Sequence, residues 1–182
     1  MGHASTLRVA AMPSLEKVSG GNDFQDFYVV EYRPLLALAA AMTGNRAEAE
    51  ELVQEALLRV CVRWSRVCRY ERPGAFARRV LLNLATSRTR RLAAEARALR
   101  RIGRARDVLD GPESSSCLPF WEALRSLPRR QAQVLALFYL EDRPVRGIAE
   151  VLGCTEETVR SHMHAGRRSL AAKMEIKEQQ DG

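Results

Sequence analysis

The fold is decided by the stretch Val145-Arg-Gly-Ile-Ala-Glu-Val-Leu-Gly-Cys-Thr-Glu-Glu-Thr-Val-Arg-Ser-His-Met-His-Ala-Gly-Arg-Arg168, which has the signals of two helices joined by a tight turn. Gly153 follows the first helix at a position where left-handed backbone ends a helix. Thr155 then supplies a side-chain oxygen that caps the second helix. Glu156 and Glu157 lie in its first turn, where the helix dipole favours carboxylates. The stretch therefore predicts a helix-turn-helix.

The second helix of this stretch separates apolar from basic side chains. One side carries small and apolar residues at helical spacing, namely Val159, Met163, Gly166 and Leu170, and the other carries Arg160, His164, Arg167 and Arg168. A basic face of this kind suits contacts with DNA phosphates and base edges. The alternative is a surface helical hairpin with a solvated charged face. The agreement of the cap, the glycine turn and both stripes favours DNA binding.

The composition indicates a globular protein with a polyanionic partner. The chain of 182 residues is 46% hydrophobic and has a formal charge of +7, from 29 Lys+Arg against 22 Asp+Glu. A net positive charge favours polyanions without specifying which one. The apolar runs are far shorter than the ~20 residues of a membrane-spanning helix, and the N-terminus lacks the pattern of a secretory signal. We expect a soluble cytoplasmic protein that does not contact a membrane.

The spacing of cysteine and histidine argues against a metal site. The cysteines form no Cys-x-x-Cys pair: they are Cys61, Cys68, Cys117 and Cys154. His162 and His164 are two residues apart on a predicted helix and point to different faces, so they do not chelate one ion together. We expect no metal and no cofactor, and thiols that are reduced and partly buried.

Helical periodicity runs through most of the chain and strand signals are nearly absent, so the sequence predicts an all-α protein. Two small helical domains are expected at residues 22–106 and 117–174. Between them, residues 107–116 are polar and acidic and contain Gly111, Pro112 and three serines, which predicts a flexible linker. Residues 1–21 are expected to form a flexible leader, and residues 175–182 a tail.

A predicted helix from about Arg46 has a separate acidic face beside its apolar stripe. Glu48, Glu51 and Glu55 form this face. An acidic face in a basic protein suits a separate binding partner, but composition alone favours the alternative of a solvated helix flank. The residues alone leave both interpretations open.

The region from Trp64 to about Arg91 combines aromatic and basic residues. A break at Pro73-Gly74 precedes a long predicted helix whose basic side chains, Arg78, Arg79, Arg88, Arg90 and Arg91, are expected to point outward. Arginine pairs with phosphate, and an aromatic side chain stacks on an unpaired base, so the region suits nucleic acid. In the alternative interpretation Trp64, Tyr70 and Phe76 all belong to the core.

Taken together, these segments resemble a bacterial RNA polymerase sigma factor of the extracytoplasmic-function group. The resemblance covers nearly all of the chain after the leader. Three segments are similar to region 2: Tyr32-Arg-Pro-Leu-Leu36, Ala47-Glu-Ala-Glu-Glu-Leu-Val-Gln-Glu-Ala56 and Pro73-Gly-Ala-Phe-Ala-Arg-Arg-Val-Leu-Leu-Asn-Leu84. Three are similar to region 4: Leu127-Pro-Arg-Arg-Gln131, Tyr139-Leu-Glu-Asp142 and Ile148-Ala-Glu-Val-Leu-Gly-Cys-Thr-Glu-Glu-Thr-Val-Arg-Ser161. Each motif is weak alone, and their order and spacing make them specific.

The resemblance implies three contact surfaces. It implies that the polymerase β′ clamp is bound by Glu48, Glu51, Gln54 and Glu55. It implies that the promoter −10 element is bound by Tyr70, Phe76, Arg78, Arg79, Asn83, Arg88 and Arg91. It implies that the −35 element is bound by Glu157, Arg160, Ser161, His164, Arg167 and Arg168. A base flipped out near the loop after Trp64 would account for DNA melting without ATP.

The resemblance also indicates further partners and one departure. Core RNA polymerase, through its β′ clamp and β subunit, and promoter DNA are the expected partners, and an anti-sigma factor is common in the group. The linker acids Asp107, Asp110 and Glu113 would imitate nucleic-acid charge in the RNA path of the polymerase. The recognition helix departs from the family's usual pattern at Ala165-Gly166, which loses an arginine and costs roughly 1 kcal/mol of helix propensity.

Two competing functions follow from the residues. A free-standing helix-turn-helix regulator would bind an operator as a dimer, with no need for polymerase. An enzyme is disfavoured, because the sequence has no glycine-rich phosphate loop, no metal-ligand spacing and no nucleophile–base pair.

Overall fold

The computed structural model describes residues 24–101 and 118–180, and these form helices with no strand between them. The helices are α1 (Phe24–Thr43), α2 (Arg46–Val62), α3 (Trp64–Val67), α4 (Pro73–Arg101), α5 (Leu118–Arg125), α6 (Arg129–Tyr139), α7 (Val145–Leu152) and α8 (Glu156–Gln180). The predicted all-α fold is confirmed. The predicted leader at 1–21 and the linker at 107–116, with its three acidic residues, lie outside the described residues.

Local signals place the ends of the first two helices. Gly44 adopts φ +73 directly after α1, a left-handed conformation that glycine accepts without strain. Asn45 follows as the N-cap of α2, and its side-chain oxygen accepts a hydrogen bond from the Glu48 N–H at 3.1 Å. These two residues turn the chain between α1 and α2. Two later helices are longer than predicted, since α4 continues to Arg101 and α8 to Gln180.

We call α1–α4 the N-terminal bundle and α5–α8 the C-terminal bundle. The N-terminal bundle is centred on contacts of α1 with α2 and α4, and the C-terminal bundle on contacts of α8 with α5, α6 and α7. Fully buried side chains fill both, for example Leu35 and Leu81 in the first and Leu135 and Ile148 in the second. Burial of each such side chain contributes about 1.5–3 kcal/mol.

The two bundles pack against each other and share one core. Helix α1 contacts α5 and α6, and α4 contacts α7. The buried residues therefore form one continuous cluster that includes Leu38 and Leu82 as well as Leu124 and Leu137. We call this packing the closed arrangement. Sequence periodicity predicted the two bundles but gave no sign of this contact between them.

A helix that crosses a lipid bilayer is both long and apolar. No helix within residues 24–101 and 118–180 has both the length and the apolarity required to cross a bilayer.

Candidate nucleic-acid and polymerase interfaces

The helix-turn-helix predicted from the sequence is present at α7 and α8. Gly153 ends α7 with φ 65 and ψ 44, the left-handed conformation expected there. Thr155 Oγ1 accepts a hydrogen bond from the Thr158 N–H at 3.2 Å and so caps α8. The carboxylates Glu156 and Glu157 lie in the first turn of α8, as predicted from the helix dipole.

The inner side of α8 explains the glycine that departs from the family pattern. Val159, Met163 and Leu170 are buried on this side, as predicted. A Cβ at Gly166 would lie 3.0 Å from Leu135 Cδ1 and 3.2 Å from Gln131 Cβ. Helix α6 therefore approaches α8 more closely than a larger residue permits. Gly166 is a packing residue of the helix-turn-helix, and its place on the buried side means that it removes nothing from the outer face.

The outer face of α8 is exposed from Glu157 to Arg168. The residues predicted to contact the −35 element are all exposed: Glu157, Arg160, Ser161, His164, Arg167 and Arg168. Arg160 donates to Glu156 Oε2 at 2.6 Å, one turn earlier on the helix. The Arg167 guanidinium lies 4.8 Å from the ring centre of Phe138, a cation–π contact that orients it from α6. Their contact with DNA remains a prediction.

Arg78 is not on the outer face of α4, and the prediction that it points outward was wrong. Its side chain is 6% exposed, with Nη1 2.6 Å from Glu31 Oε2 of α1 and Nε 2.7 Å from Glu141 Oε2 of the C-terminal bundle. Gly74 makes room for this pair, since a Cβ there would lie 2.1 Å from Glu31 Oε1. Arg78 is therefore held away from solvent in the closed arrangement.

The pairing of Arg78 compensates the cost of burying its charge. Burial lowers the pKa of Arg78, but the hydrogen bond and negative charge of Glu141, followed by those of Glu31, outweigh it, so the pKa is raised overall. Glu141 also accepts from Arg143 Nε at 2.5 Å. We call Glu31, Arg78, Glu141 and Arg143 the Arg78 cluster. It contains two positive and two negative groups, and it joins both bundles.

The turn after α6 places Glu141 in this cluster. Asp142 adopts φ 48, a left-handed conformation that aspartate tolerates better than most residues. The Arg143 N–H then donates back to the Leu137 carbonyl at 3.3 Å, which closes the turn. The motif Tyr139-Leu-Glu-Asp142 thus forms the part of the C-terminal bundle that contacts Arg78.

Arg79 also contacts the C-terminal bundle, although its side chain remains partly exposed. Its Nε donates to the Val151 carbonyl at 2.9 Å, and Nη2 donates to the Glu150 carbonyl. These carbonyls belong to the last turn of α7, where the helix leaves acceptors free. Asn83, one turn further along α4, lines a cavity of about 240 Å³ between the two bundles.

The loop before α4 forms a second cavity. Tyr70 and Phe76 meet edge to face with ring centres 5.6 Å apart, and both are half-buried. They line a cavity of about 340 Å³ together with Arg72 and Arg79. Glu150 of α7 borders the same cavity and pairs with Arg72 Nη1 at 2.7 Å. A carboxylate of the C-terminal bundle thus neutralises an arginine beside the aromatic pair.

Trp64 follows the core interpretation. Its ring is half-buried and lies 4.9 Å from the ring centre of Phe27 and 5.4 Å from that of Phe24. The indole packs α3 against α1 and so positions the start of the loop that carries Tyr70.

The acidic face of α2 is partly paired. Glu51, Gln54 and Glu55 are exposed, while Glu48 is half-buried. Arg88 of α4, predicted to contact DNA, lies 3.0 Å from Glu48 Oε1 and 2.7 Å from Glu51 Oε2. The hydrogen bond to Glu51 raises the pKa of Arg88. The surface predicted to bind polymerase and the surface predicted to bind the −10 element therefore meet where Arg88 contacts Glu48 and Glu51. Arg91, the last predicted −10 residue, is exposed one turn further along α4.

The same α2 face has an apolar end that was not among the residues predicted from the sequence. Leu58 is 59% exposed and Val62 is 79% exposed. Glu51, Glu55, Leu58 and Val62 follow one another at intervals of four, three and four residues. Their side chains therefore lie along one stripe of the helix. The signal was present in the sequence, in two apolar residues that fall outside the buried stripe of α2.

The fold defines an all-helical protein that joins a helix-turn-helix bundle to a second bundle with acidic, apolar and basic surfaces. A model of sigma-70 region 2 matches residues 27–95, and a model of sigma-70 region 4 matches residues 117–170. Together they match more than half of the chain. The chain belongs to the sigma-70 family of RNA polymerase sigma factors, within the extracytoplasmic-function group.

Individual relatives agree with this assignment. The chain is 29% identical over 150 residues to a probable RNA polymerase sigma factor, RfaY, from Xanthomonas campestris; the match covers 74% of this chain and 36% of that protein. It is 23% identical over 156 residues to RNA polymerase sigma-E factor from Streptomyces antibioticus, with 86% and 87% covered. The sigma factor RpoE of Bartonella quintana, solved with the anti-sigma factor NepR, has the same fold, with a TM-score of 0.69 at 21% identity over 85% of this chain and 98% of that one.

Proposed function

We propose that the chain binds core RNA polymerase, directs it to promoters through −35 and −10 contacts, and promotes melting without catalysing a reaction itself. The observation that carries this proposal is the presence of both sigma-70 regions, in order, on one helical fold with an exposed basic recognition helix. Polymerase and promoter DNA meet in the cytoplasm, where we propose that the chain acts. A dimeric operator-binding regulator would not need a sigma region 2, so that alternative does not account for the match over residues 27–95.

The exposed face of α8 supports the −35 contact. Arg160 and Arg168 are both exposed on this face of the helix. Arginine binds guanine and phosphate through paired hydrogen bonds, and Glu157 accepts from a cytosine amino group. The Arg160–Glu156 pair is 62% and 43% exposed, so replacing it by DNA contacts costs little.

The loop cavity supports the −10 contact. Tyr70 and Phe76 provide aromatic surface, and Arg72 and Arg79 provide positive charge, which suits an unpaired base and its phosphate. In the closed arrangement Glu150 holds Arg72, and the end of α7 holds Arg79. Binding of the −10 strand by these arginines therefore requires the C-terminal bundle to move away.

The outward stripe of α2 supports the polymerase contact. It is acidic at Glu51 and Glu55 and apolar at Leu58 and Val62. An exposed apolar patch beside charged residues is typical of a protein interface. We propose that this stripe, with Gln54, binds the β′ clamp. The similarity in fold to RpoE, solved with NepR, makes an anti-sigma factor a further proposed partner.

The test is transcription with core polymerase and charge reversal on α2. We expect Glu51→Lys with Glu55→Lys to weaken binding to core polymerase at least tenfold and to reduce runoff transcription equally, because opposite charge becomes like charge at the clamp. The matched control is Glu50→Lys, on another face of α2, where Glu50 pairs with Arg46 at 3.0 Å. Unchanged affinity of the double variant, with unchanged helicity, would contradict the polymerase contact. A footprint on a palindromic site without polymerase would instead establish the dimeric regulator.

A further inference from the structure

A third cavity lies between the bundles, away from the helix-turn-helix and from the loop. It measures about 310 Å³ and is bordered by Met42 of α1, by α4, and by α5 and α6. Its polar lining is dominated by Arg90 of the N-terminal bundle and by Arg125 and Arg129 of the C-terminal bundle. The cavity therefore exists only in the closed arrangement.

Among the described residues, these three arginines lack the carboxylate partners that several other arginines have. Arg72, Arg78 and Arg88 each pair with a carboxylate at 2.6–3.0 Å. None of the three cavity arginines has a carboxylate within ion-pair distance among residues 24–101 and 118–180. Arg125 donates to the Ala41 carbonyl at 3.4 Å, and its guanidinium packs against Gly44.

The environment of these arginines is electrostatically unfavourable. Burial lowers the pKa of Arg125, with a weaker opposing effect from Glu122. Burial also lowers the pKa of Arg129, and the positive charges of Arg130 and Arg90 lower it further. Positive groups thus converge on one cavity, where Glu122 only partly offsets the effect of burial on Arg125, and a bound anion would lower the repulsion.

We propose that this cavity binds a small phosphorylated molecule that carries an apolar part. Guanidinium groups bind phosphate oxygens through paired, charge-assisted hydrogen bonds, and three of them match a multiply charged phosphate. Met42, Ala85 and Leu127 supply apolar lining for the rest of the ligand. The volume falls within the range of small-molecule sites, about 300–1,000 Å³, and is far too small for a duplex.

The two threonine hydroxyl groups that line the cavity already donate hydrogen bonds to backbone carbonyls of α4. Thr86 Oγ1 donates to the Leu82 carbonyl at 2.7 Å, and Thr89 Oγ1 donates to the Ala85 carbonyl at 2.9 Å. Recognition of the anion therefore falls to the arginines. Since they come from both bundles, the ligand binds the closed arrangement better than an open one. At a concentration one hundred times its Kd, it favours the closed arrangement about a hundredfold.

The experiment is calorimetric titration of the full chain with inorganic pyrophosphate and with ATP, each without divalent cations. We expect saturable binding that Arg90→Gln and Arg129→Gln each weaken about tenfold, because each removes one guanidinium from the phosphate. Both side chains are exposed enough for the variants to fold. The control Arg46→Gln makes the same charge change on α2, where the side chain is 83% exposed, and is expected to bind as the wild type.

Three results would overturn the proposal. The first is the absence of saturable binding at millimolar ligand. The second is equal weakening in the control, which identifies a general charge effect. The third is displacement of the ligand by a short DNA duplex whose own affinity falls equally in both variants, which identifies these arginines as DNA contacts. Because the titration contains neither polymerase nor promoter, its failure leaves the proposed function untouched.

Discussion

Replacing Glu141 by glutamine is expected to open the closed arrangement while each bundle stays folded. Glu141 is 8% exposed and is the residue of the C-terminal bundle that pairs with Arg78 at 2.7 Å. Removing one partner of a buried pair costs about 3–5 kcal/mol, and a hydrogen bond to a charged group contributes about 1.5–3 kcal/mol. Because Arg78 keeps Glu31, we expect a loss of about 2 kcal/mol, which shifts the ratio of closed to open chains about 30-fold.

Small-angle scattering and urea unfolding measure this change. The radius of gyration of Glu141→Gln is expected to exceed that of the wild type, and its unfolding midpoint is expected to fall. The matched control is Glu50→Gln, which makes the same chemical change in an exposed pair on α2 and should cost about 0.3–0.5 kcal/mol. Equal effects of the two variants would refute the role of the Arg78 cluster. So would a double-mutant cycle of Arg78→Met with Glu141→Gln that shows no coupling.

Two further substitutions test the C-terminal bundle. Gly166→Ala is expected to destabilise the protein by about 1 kcal/mol in urea unfolding, because overpacking against Leu135 at 3.0 Å outweighs the gain in helix propensity; a raised midpoint would show that α6 yields instead. Arg160→Ala is expected to lower runoff transcription mainly from promoters with an intact −35 element, by roughly tenfold for one lost base contact of about 1–3 kcal/mol. Equal loss from a promoter with a scrambled −35 element would argue against direct base recognition, and Arg146→Ala on the exposed side of α7 is the matched control.

Signals contained in a few neighbouring residues were sufficient for the helices and the helix-turn-helix. Gly153 and Thr155 have the backbone conformation and the helix cap that were expected of them. Such features depend on backbone sterics and on hydrogen bonds within one turn, and the sequence displays both directly.

Contacts between distant segments were not accessible in the same way. Helical periodicity put Arg78 on the outer face of α4, but its burial depends on Glu141, 63 residues later. No local pattern indicates that these two residues meet. The cost assigned to Gly166 was likewise a local quantity, whereas its actual role depends on the approach of α6. Long-range packing decided both cases.

The two positive and two negative charges of the Arg78 cluster sum to zero, and this determines how strongly salt affects the cluster. Its charges are buried and mutually compensated, so counterions screen them weakly. The proposed promoter contacts are exposed arginines, and binding of this type weakens steeply as ionic strength rises, because it releases counterions from DNA. Rising ionic strength therefore weakens the DNA contacts of the open protein more than it weakens the Arg78 cluster of the closed arrangement, and the balance between the two arrangements responds to the salt concentration around the protein.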